Sequence, residues 1–279
     1  MRVLITGGAG LLGSTLIEHA PMDAEVHATY RSIPVVAPRS AQVELSDADA
    51  VAALWAEVRP ELVIHTAYSM ESGERDVWQA TRNVVRATSD VGAALIHMST
   101  DALLDGEHGP YAEDAKPAPV HEYGRWKAQA ERHVRAEMPG AAVVRTSLVT
   151  RLAPLDPRSA WIAGSLRDGR PLTLFVDELR CPIAGDDLAR QLWEIASLPA
   201  DERAGMWHLA GPEALSRYAL GLLVAAHEGL DPAAITPALS AASPSPRPRD
   251  LRLLTARADR ALRTRARPIS ELLLERRRR

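Results

Sequence analysis

A single cysteine, Cys181, stands in 279 residues, so no intramolecular disulfide can staple the fold. Long apolar runs are missing, and no basic-then-apolar stretch opens the chain. Both absences argue against a signal peptide and a membrane helix, and make the cytoplasm the expected location. Lysine is nearly absent: almost every basic residue is arginine, and the only lysines are Lys116 and Lys127. Neither sign of charge dominates, with a formal net charge of -3 and a pI near 6.3. General attraction to nucleic acid is therefore not expected. The closing run Arg276 to Arg279 reads as a solvated chain end, not a binding patch.

With 46% of its residues hydrophobic, the chain can bury one large core with an appended lobe. Short apolar, often β-branched runs alternate with amphipathic stretches, the pattern of an α/β, Rossmann-type doubly wound parallel sheet. The expected strands cover residues 2–6, 25–30, 41–44, 62–65, 93–98 and 143–147, with helices over 11–19, 48–58, 75–91 and 122–137. Residues 1–150 thus read as a dinucleotide-binding domain. Past Ser147, Pro154, Pro157 and Pro171 break the rhythm. Helices near 161–166, 187–197, 217–227 and 269–275, with extended segments at 172–176 and 206–209, read as a smaller C-terminal substrate-binding lobe over 151–279, with chain crossings between the two parts left open. It is expected at the sheet's carboxyl edge, where open α/β sheets bind ligands.

The first strand runs directly into Gly7-Gly8-Ala9-Gly10-Leu11-Leu12-Gly13. Glycines at this spacing between strand and helix permit a tight turn and let backbone N–H groups approach a pyrophosphate. A dinucleotide is the expected ligand. At the end of the second strand an acidic residue would hold the adenosine ribose, whereas a basic one suits a 2′-phosphate. The chain has Arg31 and Ser32 there, which favours NADP(H) over NAD(H).

Tyr123 and Lys127 lie one turn apart on one face of a helix. A phenol can protonate a carbonyl oxygen as hydride arrives at carbon, and an ammonium nearby can tune it and hold a ribose hydroxyl. In a chain that uses arginine almost everywhere else, a lysine at this position suggests the need for a compact cation. The fifth strand ends at Ser99-Thr100-Asp101, where the Thr100 hydroxyl, or that of Ser99, could polarise the same carbonyl.

Together, Gly7/Gly10/Gly13, Ser99-Thr100-Asp101 and Tyr123-x-x-x-Lys127 resemble the extended short-chain dehydrogenase/reductase superfamily. More closely, the chain resembles its dTDP-4-dehydrorhamnose reductase, or sugar-nucleotide reductase, family. Residues 60–68, Asp105-Gly106, Val144-Arg145-Thr146-Ser147, Asp177 through Pro182 and residues 208–212 carry the likeness further. The resemblance implies reduction of the 4-keto group of a nucleotide-activated 6-deoxysugar, with Thr100, Tyr123 and Lys127 as catalytic residues. It places Gly7, Gly10, Leu11, Leu12, Gly13, Glu44, Leu45, Ala67, Tyr68, Tyr123 and Lys127 on the cofactor. Ser99, Thr100, Asp101, Tyr123 and Arg180 become the substrate contacts, Arg180 as a partner for phosphates. The family commonly has asparagine where this chain has His65, and tryptophan where it has Leu148.

The implied partner is a small molecule, a nucleotide sugar, with no nucleic acid, no membrane and no metal; a homodimer is left open. Two alternatives stay open as well: a reductase of a non-nucleotide ketone or imine, and a cofactor-binding regulatory subunit without turnover. His65, His97 and His208 read as core or edge histidines, the lone asparagine Asn83 as a helix-packing residue, and Trp55, Trp78, Trp161 and Trp193 as core anchors. Trp161 also remains a candidate substrate contact.

Overall fold

Residues buried on both sides of a strand call for cover on both faces of its sheet. Val3, Leu4 and Ile5 in β1 (Arg2–Thr6) and the wholly buried β4 (Leu62–His65) have that character. The computed structural model describes residues 1–275 except Pro38, Met70 and Glu71, so the Arg276 to Arg279 run lies outside the described residues. Seven strands form one parallel sheet: β1, β2 (Glu25–Tyr30), β3 (Arg39–Gln42), β4, β5 (Ala94–Thr100), β6 (Ala142–Thr146) and β7 (Gly205–Leu209). Their order is β7-β6-β5-β4-β1-β2-β3, so the winding reverses between β1 and β4. That switch point opens a crevice at the strands' carboxyl ends.

On one face Leu4, Val63, Leu95 and Val143 pack against α2 (Ala48–Val58), α3 (Ala80–Asp90) and α4 (Glu122–Glu137). On the other, Val3, Ile5, Ile64, Ile96 and Val144 meet Leu16 of α1 (Leu11–Glu18) and Leu188, Leu192 and Trp193 of a later helix, Gly185–Ser197. Two indoles tie neighbouring helices together. Trp55 Nε1 donates to Thr88 Oγ1 at 3.0 Å, and Trp193 Nε1 to the Leu16 carbonyl at 3.0 Å. Local chemistry sets the helix starts: Asp47 accepts from the Asp49 and Ala50 amides to open α2. Asp156 does the same for α5 (Pro157–Arg167), with proline at its first position.

Three elements depart from the sequence expectation. Pairing of β3 with β2 ends at Gln42, not Glu44, leaving Val43, Glu44 and Leu45 to line the crevice. The helix expected over 75–91 begins as a π-helical turn, Arg75–Gln79, before α3 takes over. The strand Gly205–Leu209, expected in the C-terminal lobe, pairs in parallel with β6 and becomes the sheet's edge. The rest of the second half is built on α5, α6 (Gly185–Ser197), α7 (Arg217–Glu228) and α8 (Ile269–Glu275), with the short helices Ala200–Arg203 and Ala256–Ala261, two 3-10 turns and paired short strands. Ile162, Leu172, Val224 and Ile235 form its own small core. Among the described residues no helix is long and apolar enough to cross a membrane.

Candidate active site

Apart from Trp161, every site residue named from the sequence lines one cleft of about 910 Å³ along the carboxyl edge of the sheet. At one end lies the glycine turn. Gly7 has φ +71°, a conformation that favours glycine, and a Cβ on Gly13 would sit 2.2 Å from the Gly7 carbonyl oxygen. The backbone is therefore closed to side chains where a pyrophosphate would rest at the α1 N-terminus. Leu11 and Leu12 open that helix, and the segment Glu44-Leu45 flanks the same end of the cleft. This cradle fits a dinucleotide. Gly13→Ala is expected to force the turn apart and abolish NADH binding, which a fluorescence titration would check.

The catalytic candidates meet in the middle. Gly124 lets α4 approach the end of β5: a Cβ there would lie 2.4 Å from the Ala102 carbonyl oxygen. That contact brings Tyr123 beside Thr100, whose hydroxyl also accepts from the Ala102 amide at 3.2 Å. Burial, then Tyr68 and Asp101, push the Tyr123 phenol above its ordinary value, against a lowering hydrogen bond from Thr100. The phenol thus holds its proton, the form a proton donor needs. Lys127 is 4% exposed, and burial lowers its pKa to about 8. Its ammonium donates to the Met98 carbonyl at 3.1 Å and sits 5.2 Å from the centroid of the Tyr68 ring. The Tyr68 and Tyr123 rings are 5.7 Å apart.

At the far end Asp101 and Arg180 face each other, Oδ2 to Nε 3.8 Å. Burial raises the Asp101 carboxyl, and Arg180, Ser147 and Arg217 oppose that rise. Ser99 lines the cleft, but its hydroxyl donates to buried Glu131 at 3.0 Å, leaving Thr100 as the hydroxyl beside Tyr123. Four residues here were not singled out from the sequence: Arg158, Glu178, Arg217 and Arg247. Glu178 is fully buried and gathers Arg180 at 3.0 Å, Arg217 at 2.7 Å and Arg247 at 2.8 Å. Burial would raise its carboxyl, but Arg217 and Arg180 outweigh that and hold it below the usual range. Burial and Arg217 lower Arg158. Nothing local marks these arginines in so arginine-rich a chain, though Glu178 lies in the segment shared with Arg180.

Several incidental residues also find their places. Asn83 Nδ2 donates to the Leu45 carbonyl at 3.0 Å, tying α3 to the segment along the cleft. His65, His97 and His208 are buried, whereas Trp161, grouped with the core tryptophans, is 51% exposed and lies off the cleft lining. Among the described residues no group of three or more His, Cys, Asp or Glu side chains gathers as a metal site.

A doubly wound sheet with a glycine turn and a Tyr-x-x-x-Lys helix at its carboxyl edge defines the extended short-chain dehydrogenase/reductase class. Within it, the chain belongs to the family described as the RmlD substrate binding domain, whose pattern matches residues 1–275. The probable low-salt glycan biosynthesis reductase Agl14 of Haloferax volcanii is 31% identical over 232 residues, 77% of this chain and 76% of that protein. Methionine adenosyltransferase 2 subunit beta of Rattus norvegicus is 29% identical over 239 residues, 80% of this chain and 71% of the relative. A solved hypothetical dTDP-4-dehydrorhamnose reductase from Sulfolobus tokodaii superposes with a TM-score of 0.83 at 26% identity, covering 96% of this chain and 97% of that one.

The expected preference for NADP(H) is corrected by the solved relatives. WbmG of Bordetella bronchiseptica was solved with NAD; it has a TM-score of 0.79 and 22% identity, over 95% of this chain and 89% of its own. MoeE5, solved with UDP-glucuronic acid and NAD, has a TM-score of 0.79 and 24% identity, over 98% and 96%. The dTDP-4-dehydrorhamnose reductase of Bacillus anthracis holds NADP, with a TM-score of 0.81 and 21% identity over 98% and 96%, but NAD is the commoner partner among these solved structures, which runs against the expected preference. The structure supplies a physical reason: Arg31 Nη1 is 2.7 Å from Asp76 Oδ2, and the Asp76 side chain is 4% exposed. The guanidinium on which the NADP(H) expectation rested already shares its charge with a carboxylate at the cleft wall.

Proposed function

We propose that this chain is an NAD(H)-dependent reductase of a keto group on a nucleotide-activated sugar, specifically the 4-keto group of a 6-deoxyhexose. One observation carries the reading: the Tyr123, Thr100 and Lys127 cluster lies between a glycine cradle and an arginine cluster in a single cleft. A bound reduced nicotinamide supplies the hydride. Tyr123 gives the proton to the carbonyl oxygen, Thr100 polarises that oxygen, and Lys127 holds a ribose hydroxyl. Gly7, Gly10, Leu11, Leu12, Gly13, Ser32, Glu44, Leu45, Ala67 and Tyr68 border the dinucleotide. Residues 151–279 supply most of the substrate side, where Arg158, Arg180, Arg217 and Arg247 face the carboxylates of Asp101, Asp156 and Glu178. This excess of guanidinium groups suits a diphosphate, and the neighbour that holds UDP-glucuronic acid supports the same substrate class.

The test is NADH oxidation with a dTDP-4-keto-6-deoxyhexose. Arg217→Ala should raise KM for that substrate by about tenfold or more, and change KM for a neutral ketone little. Both arginines pair with Glu178, but Arg217 is the better probe because Arg180 is more deeply buried and also faces Asp101. The second reading, a cofactor-binding subunit without turnover, draws support from the relative named as a subunit beta. Tight NADH binding with no oxidation of any sugar nucleotide would favour it.

A further inference from the structure

We propose that His65 is a positioning residue for the dinucleotide: as a neutral imidazole protonated on Nε2, it fastens the loop 66–68 against the glycine turn. The inference rests on the dinucleotide reading of the cleft. Thr6 ends β1 and His65 ends β4, and the two are register partners across the switch point. Thr6 Oγ1 accepts from the Thr66 amide at 3.1 Å and the Ala67 amide at 3.3 Å, while Thr66 Oγ1 donates to the Thr6 carbonyl at 2.6 Å. Both lone pairs of the Thr6 hydroxyl are then occupied, so its hydrogen points to His65 Nδ1, 2.7 Å away, which must be bare. On the other side of the ring, Thr81 Oγ1 donates to the Val77 carbonyl at 2.7 Å, leaving its oxygen to accept from His65 Nε2 at 3.2 Å. Two independent partners thus require one and the same tautomer.

Surroundings keep the ring neutral. His65 is 2% exposed, and burial followed by the Lys127 ammonium lowers its pKa to about 3. The imidazole of His97, itself buried, lies 5.4 Å away. His65 therefore spans three elements: β1 through Thr6, the loop through the hydroxyl that Thr6 presents, and the π-helical turn through Thr81 and Val77. The fastened loop touches the site on two sides. A Cβ on Gly7 would lie 2.9 Å from Ala67 Cα, and the next residue, Tyr68, places its ring beside Lys127 and Tyr123. Slack in the loop would loosen the glycine turn's wall, whereas Tyr123 and Lys127 are carried by α4.

Long-range 1H–15N spectra of histidine-labelled protein test the tautomer directly. His65 is expected with Nε2 protonated and Nδ1 bare, unchanged from about pH 8 to about pH 5, the range in which an ordinary histidine titrates. A protonated Nδ1, or titration in that range, overturns the proposal. NADH Kd then tests the role. His65→Leu should weaken binding about tenfold or more, the loss of one or two buried hydrogen bonds, and isosteric Thr81→Val should weaken it several-fold. His65→Asn, which keeps an acceptor for Thr6, should stay within about threefold, and kcat at saturating NADH should change little in all three. Unchanged Kd in Thr81→Val and in His65→Leu overturns the proposal; if His65→Leu does not fold, Thr81→Val and the spectrum decide it. Unmodified protein that binds no dinucleotide would instead remove the reading of the cleft itself.

Discussion

Replacing Tyr123 by phenylalanine is expected to lower kcat for NADH-dependent carbonyl reduction by about a hundred- to ten-thousand-fold, the usual worth of a positioned general acid. NADH binding should survive. The ring of Tyr123 packs near Tyr68, and the substitution removes only the hydroxyl beside Thr100. Stopped-flow or steady-state absorbance of NADH, with Kd measured separately, separates the two effects. A fall in kcat with unchanged Kd assigns the proton to Tyr123. Equal kcat in the two proteins would move proton transfer to another group or to water.

Lys127 gives the same cleft a pH dependence of defined sign. Its pKa of about 8 lies below the ordinary lysine value of 10.5, so the ammonium is present below about pH 8 and lost above it. NADH affinity should therefore fall as pH rises through about 8, and Lys127→Met should flatten that profile. Stability moves the other way. Between about pH 8 and 10.5 the unfolded chain binds more protons at this lysine than the folded one, so its contribution to stability rises with pH. A binding profile that parallels the melting profile would contradict this assignment.

The second large effect lies beneath the site. Glu131 in α4 and Arg145 in β6 are each 1% exposed and pair at 2.6 Å, with further bonds to Ser99 and to the Ala115 carbonyl. Glu131→Ala would leave a buried guanidinium without its carboxylate, a change that costs about 3–5 kcal/mol. Thermal or urea unfolding should register it as a large loss of Tm or midpoint. The double change Glu131→Leu with Arg145→Met should recover much of the loss, because the cost lies in the unpaired charge. A double variant as unstable as the single one would show that the pair itself, and not the orphaned arginine, supplies the stability.

Much of the site was legible in the chain because its chemistry is local. Gly7 to Gly13 follow β1 without a break, Ser99 and Thr100 end β5, and Tyr123 and Lys127 share one helical turn. Adjacency along the sequence becomes adjacency in space within such units. The arginines that join Arg180 at the far end of the cleft were illegible for the opposite reason. They come from α5, from the start of α7 and from a loop, and each is one arginine among many. Arg31 lines the cleft, but the sequence could not show that Asp76, 45 residues away, meets the guanidinium on which the inference to NADP(H) rested. His65 was read as a core or edge histidine; it is buried, and it also hydrogen-bonds Thr6 and Thr81.

By itself, the amino-acid order determined the α/β alternation, the strand-turn-helix cradle and the Tyr123/Lys127 spacing, since each depends on periodicity and backbone freedom within one or two turns. Tertiary structure alone decided which carboxylate meets which arginine, which tautomer His65 adopts, and that Gly205–Leu209 closes the edge of the sheet. Those outcomes follow from strand register and from helix packing across the sheet, which join segments far apart in the chain and leave no local pattern behind.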